Sequence, residues 1–176
     1  MPDDRPDAVH TGFLGRYLRI DVEDWGHQRY EVVHRVTHAQ DAPGAVGVLP
    51  LTPDGDVILV RQFRHPVRRS LLEIPAGLLD VPGEPPEVCA VRELFEETGF
   101  RPVGELMWIG TYLTTPGMSD ERIALYHVDT AAEPEGDAEE GIEVVRMPLA
   151  QARAAVSDGR IVDAKTAVAV LLTDPS

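Results

Sequence analysis

The chain has 176 residues, enough for one well-cored domain and too few for two comfortable ones. Its 43% apolar and 26% charged residues are ordinary for a globular protein, and no run of 18 apolar residues offers a membrane span. A formal charge of −14 argues against a nucleic-acid backbone as partner, because such binding neutralises phosphates with Lys and Arg.

An acidic protein can still take a small phosphate compound if metal ions supply the positive charge. The opening residues, MPDDRPDAVH, are polar and acidic, unlike a secretory signal. The single cysteine, Cys89, rules out an internal disulfide and suits a reducing cytoplasm. One lysine is present, Lys165, so the other cationic side chains are arginines.

In chain order, residues 1–12 read as a mobile leader. Tyr17–Val22 and Arg29–Val36 read as two strands joined by a turn at Asp24-Trp25-Gly26. His27, His34 and His38 do not have the spacing of a metal site and read as solvated or hydrogen-bonded. Ala45–Leu51 and Val57–Gln62 are β-branched runs around Pro53-Asp54-Gly55, which predicts a hairpin: fixed φ, a side-chain acceptor, then tolerance of positive φ. The second run delivers Arg61 and Arg64, which read equally as snorkelling arginines of a surface strand or as phosphate contacts, since the planar guanidinium fork donates two parallel hydrogen bonds.

Leu71–Gly77 reads as a short strand entering a Gly/Pro loop. A helix follows, with Pro85 and Pro86 in its first turn and Gly99 as its left-handed cap. Glu93, Glu96 and Glu97 fall within an arc of about 100° on that helix. Val88, Ala90, Val91, Leu94 and Phe95 fill the opposite arc as the expected core face, with Cys89 near the polar side as filler. Three adjacent acids repel one another unless solvent or a cation neutralises them, so both a solvated face and a metal site remain open at this point.

Glu105–Leu113 and Arg122–Val128 read as strands around a loop, residues 114–121, whose small residues permit close approach to a ligand. Residues 131–141, AAEPEGDAEEG, form an acidic loop. Ile142–Met147 is a last strand, Leu149–Val156 an amphipathic helix, and Asp163 the expected cap of a final helix through Leu172.

Glu84, seven residues, Arg92-Glu93-Leu94, one residue, Glu96-Glu97, one residue and Gly99-Phe100 together resemble the signature of the Nudix hydrolases. Six residues separate Gly77 from Glu84, one more than that signature usually carries, and the insertion falls in the loop ahead of the helix. Arg61-Gln62-Phe63-Arg64-His65-Pro66 and Leu72-Glu73-Ile74-Pro75-Ala76-Gly77 are similar to the ADP-ribose pyrophosphatase branch. So is Pro116, 16 residues past the box, where that branch carries a proline.

The resemblance implies an α/β (α+β) fold, an α/β/α sandwich with a mixed sheet, plus antiparallel N-terminal strands. It implies a division into residues 1–40, a leader and strands that pair across a homodimer, and residues 41–176, the hydrolase domain. The implied reaction is metal-dependent hydrolysis of ADP-ribose, or a related ADP-sugar, to AMP and ribose 5-phosphate. Mg²⁺ or Mn²⁺, two or more ions, would be held by Glu93 and Glu97 with support from Glu96 and the Ala76 carbonyl.

Arg64, Glu73, Pro116, Gly117 and Met118 would lie at the substrate. Gly77, Glu84, Arg92 and Gly99 would be structural, Arg92 pairing with Glu84. Glu140 would be the general base, with Glu139 next in line. Trp25, Tyr30 and Tyr17 are the candidates for stacking on the base. The alternatives are hydrolysis of another nucleoside diphosphate derivative, or a non-catalytic nucleotide-sensing domain.

Overall fold

A computed structural model describes residues 5–36 and 42–174. Three strands come first: β1 (Ala8–Leu14), β2 (Leu18–Asp24) and β3 (Arg29–Arg35), an antiparallel sheet in sequence order. Residues 8–12, expected within a leader, are therefore strand. β1 pairs with β2 from Ala8↔Asp24 to Leu14↔Arg19, with a bulge near Gly12. Every residue of β1 is exposed, so backbone pairing rather than burial holds it, and no apolar alternation marks it in the sequence.

The larger sheet has the order β10-β5-β4-β9-β8, with β6 beside β5 and β7 beside β4. Its strands are β4 (Ala45–Leu51), β5 (Asp56–Arg64), β6 (Arg69–Glu73), β7 (Ala76–Leu78), β8 (Met107–Leu113), β9 (Arg122–Asp129) and β10 (Glu143–Pro148). β4 and β9 run parallel; the other pairs are antiparallel. The predicted hairpin closes through Thr52 and Asp56 but pairs only at Leu51↔Val57. Beyond that point β5 pairs with β6 and β4 with β7, and Pro75, between β6 and β7, accepts from Val48 N at 2.9 Å through its carbonyl.

Period-2 alternation along the strands supplies two cores. Leu49, Leu51, Val57, Leu59, Ile123 and Leu125 face α2 (Leu149–Ser157) and α3 (Ala164–Leu172). Val46, Val48, Ile58, Ala124, Tyr126 and Val128 face α1 (Pro86–Thr98). The result is the expected α/β/α sandwich. Full burial of one such Leu or Ile contributes about 1.5–3 kcal/mol.

The termini of α1 follow its sequence: Pro85 is the N-cap, and Gly99 closes the helix at φ 73° with its N–H on Phe95 O. Its buried face differs from expectation. Cys89, Ala90, Leu94, Glu97 and Thr98 are buried, whereas Val88 is 53% exposed. Val91 and Phe95 turn toward an outer groove with Leu106 and Arg101, whose guanidinium carbon lies 3.9 Å from the Phe95 ring centre. The helix is thus rotated so that Glu97 points at β7. Asp163 caps α3 by accepting from Thr166 N at 3.0 Å, as expected. No helix among the described residues is long and apolar enough to cross a membrane.

Candidate active site

The rotation of α1 brings its acids against β7. Ala76 N–H donates to Glu97 Oε2 at 3.0 Å, and the Glu93 carboxylate lies over Gly77. A Cβ on Gly77 would overlap that carboxylate, so only glycine permits this approach. Glu97 is 6% exposed; burial pushes its carboxyl up to about 7, and the charges of Glu93 and Glu139 add to the rise. Burial also raises Glu93, with Glu96 and Asp80 adding repulsion.

Arg92 partly offsets this charge. Its Nε and Nη2 grip Glu84 at 2.9 and 3.0 Å, and its Nη1 reaches Glu93 at 2.6 Å and Glu96 at 2.9 Å. The expected Arg92–Glu84 pair is present and ties the loop to the helix. Because Arg92 draws Glu93 and Glu96 to itself, no three Asp, Glu, His or Cys side chains converge on one ion-sized point among the described residues. In donor chemistry the set still fits a hard divalent cation: carboxylate oxygens, one of them buried at raised pKa, and more negative charge than one arginine neutralises.

Cys89, expected near the polar side, is fully buried. Burial pushes its thiol up to about 12, well outside the range of a nucleophile.

Arg64 stands at the end of β5 and Glu73 at the end of β6. Glu73 is 2% exposed and accepts from Arg64 Nε and Nη2, both at 2.8 Å, and from Lys165 Nζ of α3. Glu73, expected at the substrate, is the buried partner of Arg64. The guanidinium is close enough to Glu97 for each charge to act on the other. No local pattern in the sequence marks Lys165 as a site residue, since Glu73 lies 92 residues away.

The acidic loop docks on the end of α1. Glu135 N donates to Gly99 O at 2.9 Å and Glu139 N to Glu96 O at 3.0 Å, while Gly136 packs on Gly99. Glu139 and Glu140 are both exposed, and it is Glu139 whose charge reaches Glu97.

Pro116, Gly117 and Met118 lie elsewhere, in a cleft of about 490 Å³ shared with Glu23, Trp25, His27 and Tyr30. Trp25 and Tyr30 meet edge to face at 6.5 Å. None of the box residues lines this cleft, and Tyr17 is outside it. The loop is fastened to β3: Val33 N donates to Met118 O at 2.9 Å, His34 Nδ1 meets Asp120 Oδ2 at 2.7 Å, and Arg35 pairs with Glu121. Of the three histidines, His34 is thus hydrogen-bonded, His27 is exposed, and His38 lies outside the described residues.

Comparison with known proteins matches residues 41–167 to the NUDIX domain family. The methanol dehydrogenase activator of Bacillus methanolicus is 35% identical over 90% of this chain and 85% of its own. The ADP-ribose pyrophosphatase of Bacillus subtilis is 41% identical over the same shares. The ADP-ribose pyrophosphatase of Mycobacterium tuberculosis is 38% identical over 94% of this chain and 79% of its own. With a family match over most of its length and relatives at these identities, the chain belongs to the Nudix hydrolase family.

Proposed function

We propose that this chain hydrolyses the diphosphate of ADP-ribose, or a related ADP-sugar, to AMP and a sugar phosphate, with Mg²⁺ or Mn²⁺. The observation that carries the reading is the buried Glu97 on Ala76 N–H, with Glu93 held over Gly77 and Arg64 within electrostatic reach of Glu97. Anion-binding and cation-binding groups thereby meet at one place, as a metal-bound diphosphate requires. Two relatives bear the name ADP-ribose pyrophosphatase, which supports this substrate class.

Glu93 and Glu97 would be the main metal ligands, with Glu96 and the Ala76 carbonyl joining them around two or more ions. When bound, the cations would polarise the phosphoryl oxygens and lower the pKa of water. Arg64 would orient the diphosphate through N–H groups that Glu73 leaves unused. Arg92 would hold Glu84, Glu93 and Glu96 in register. Glu139 is the better placed of the two candidate bases, because its backbone is fixed to Glu96 and its charge reaches Glu97. Pro116–Met118, with Trp25 and Tyr30, offer an apolar cleft to the nucleoside.

The N-terminal sheet carries exposed Phe13, Leu14 and Leu18, with Tyr17 in the turn between β1 and β2, which supports pairing with a second copy of the chain. A lone buried thiol suits the cytoplasm. The test is product release from a panel of nucleoside diphosphate derivatives with Mg²⁺. AMP from ADP-ribose in preference to the other substrates is expected; indifference across the panel, or no turnover, counts against the reading.

A further inference from the structure

We propose that Lys165 is a positioning residue for Arg64, acting through Glu73. The inference rests on the reading of Arg64 as the group that meets the substrate diphosphate. Glu73 lies between the two cations: Arg64 reaches both of its oxygens, and Lys165 Nζ reaches Oε2. A guanidinium has five N–H groups. Nε and one N–H of Nη2 are spent on Glu73, which leaves three to donate and fixes the plane in which they lie.

A carboxylate this buried needs full compensation. With Arg64 as sole cation, Glu73 would draw the guanidinium inward and cancel its charge. With Lys165 present, Glu73 is shared between two cations, so its hold on Arg64 is weaker and the N–H groups it does not occupy stay available to an anion. Lys165 also reaches Asp163 Oδ2 at 3.0 Å, the N-cap of α3.

The anchoring is continuous. Asp163 Oδ2 accepts from Thr166 N at 3.0 Å and from Thr166 Oγ1 at 2.6 Å, and Thr166 Oγ1 accepts from Ile74 N at 2.8 Å, next to Glu73. The first turn of α3 therefore fixes both Lys165 and the backbone that carries Glu73. Lys165 is only 13% exposed in its side chain and is the one lysine of the chain, so its place here is not that of a solvated surface cation.

The test is a kinetic double-mutant cycle on ADP-ribose with Mg²⁺, using Lys165→Met, Arg64→Ala and the pair, with Lys165→Arg as rescue. Lys165→Met is expected to raise KM roughly tenfold, the weight of one charge-assisted hydrogen bond, with a much smaller change in kcat. In the Arg64→Ala background the same change should add less than about twofold, because two groups acting as one unit are not additive. Lys165→Arg should restore most of the lost KM.

A Lys165→Met effect of equal size in both backgrounds, or one confined to kcat, would show a merely structural role and overturn the proposal. If Lys165→Met does not fold, Lys165→Gln carries the same expectations. An Arg64→Ala enzyme with unchanged KM would instead sink the diphosphate role of Arg64, and the inference with it.

Discussion

Glu97 is a carboxylate placed where a carboxylate is costly: 6% exposed, near two other acids, and pushed up to about 7. Glu73 is as deeply buried and shifts the other way. Burial opposes its charge, but Arg64 and Lys165 outweigh that and hold its carboxyl below the ordinary 4.5. A carboxyl depressed in the folded state stabilises above its unfolded value, and that contribution is lost as pH falls through the folded value. Chemical denaturation should therefore find wild type more stable than Glu73→Gln at pH 6, with the gap narrowing as pH drops below about 4.5. A gap independent of pH would mean that the ion pairs contribute nothing. At the same scale, Glu139→Gln is expected to slow turnover on the order of a hundredfold while sparing KM, and Glu140→Gln to have the smaller effect. The reverse order would return the role of base to Glu140.

At the scale of elements, the ends of α1 were legible and its orientation was not. Pro86 and Gly99 act through their own backbones, so their meaning is local. Which face of the helix turns inward depends on β7, and the apolar count alone favoured Val88 and Phe95 over Cys89 and Glu97. Burial of Glu97 makes sense only once Ala76 N–H and Gly77 are in place to receive it. The long-range partners were equally out of reach: Lys165 of α3 meets Glu73 of β6, 92 residues away, and β1 forms with no buried residue to announce it. The acids of α1, Arg64 and Arg92 could be named because their spacing is written into one contiguous helix and one strand. Gly99 also joins two elements, since a Cβ there would collide with the Gly136 carbonyl and strain a φ of 73°. Gly99→Ala is expected to cost about 1 kcal/mol or more. It should also raise amide exchange in residues 131–141 beyond that in α2; an effect confined to the helix would show that the loop is held by other means.

For the whole molecule, the two sheets divide the labour. The seven-stranded sheet and its three helices carry the box, Arg64 and both cores. The N-terminal sheet has almost no core of its own, yet it holds loop 114–121 through Val33, His34 and Arg35. A second copy covering Phe13 and Leu14, 56% and 67% exposed, would supply that missing core. Light scattering is expected to give the mass of two chains, and Phe13→Asp with Leu14→Asp to give one; a wild-type monomer would refute the pairing.

Glu97→Gln tests most directly whether a cation held on α1 serves the cleavage of an ADP-sugar. Glutamine keeps an acceptor for Ala76 N–H and removes a buried, repelled charge, so the melting temperature without metal should not fall. AMP release from ADP-ribose with Mg²⁺ should drop on the order of a hundredfold or more. Near-normal turnover in a folded Glu97→Gln variant would contradict the account.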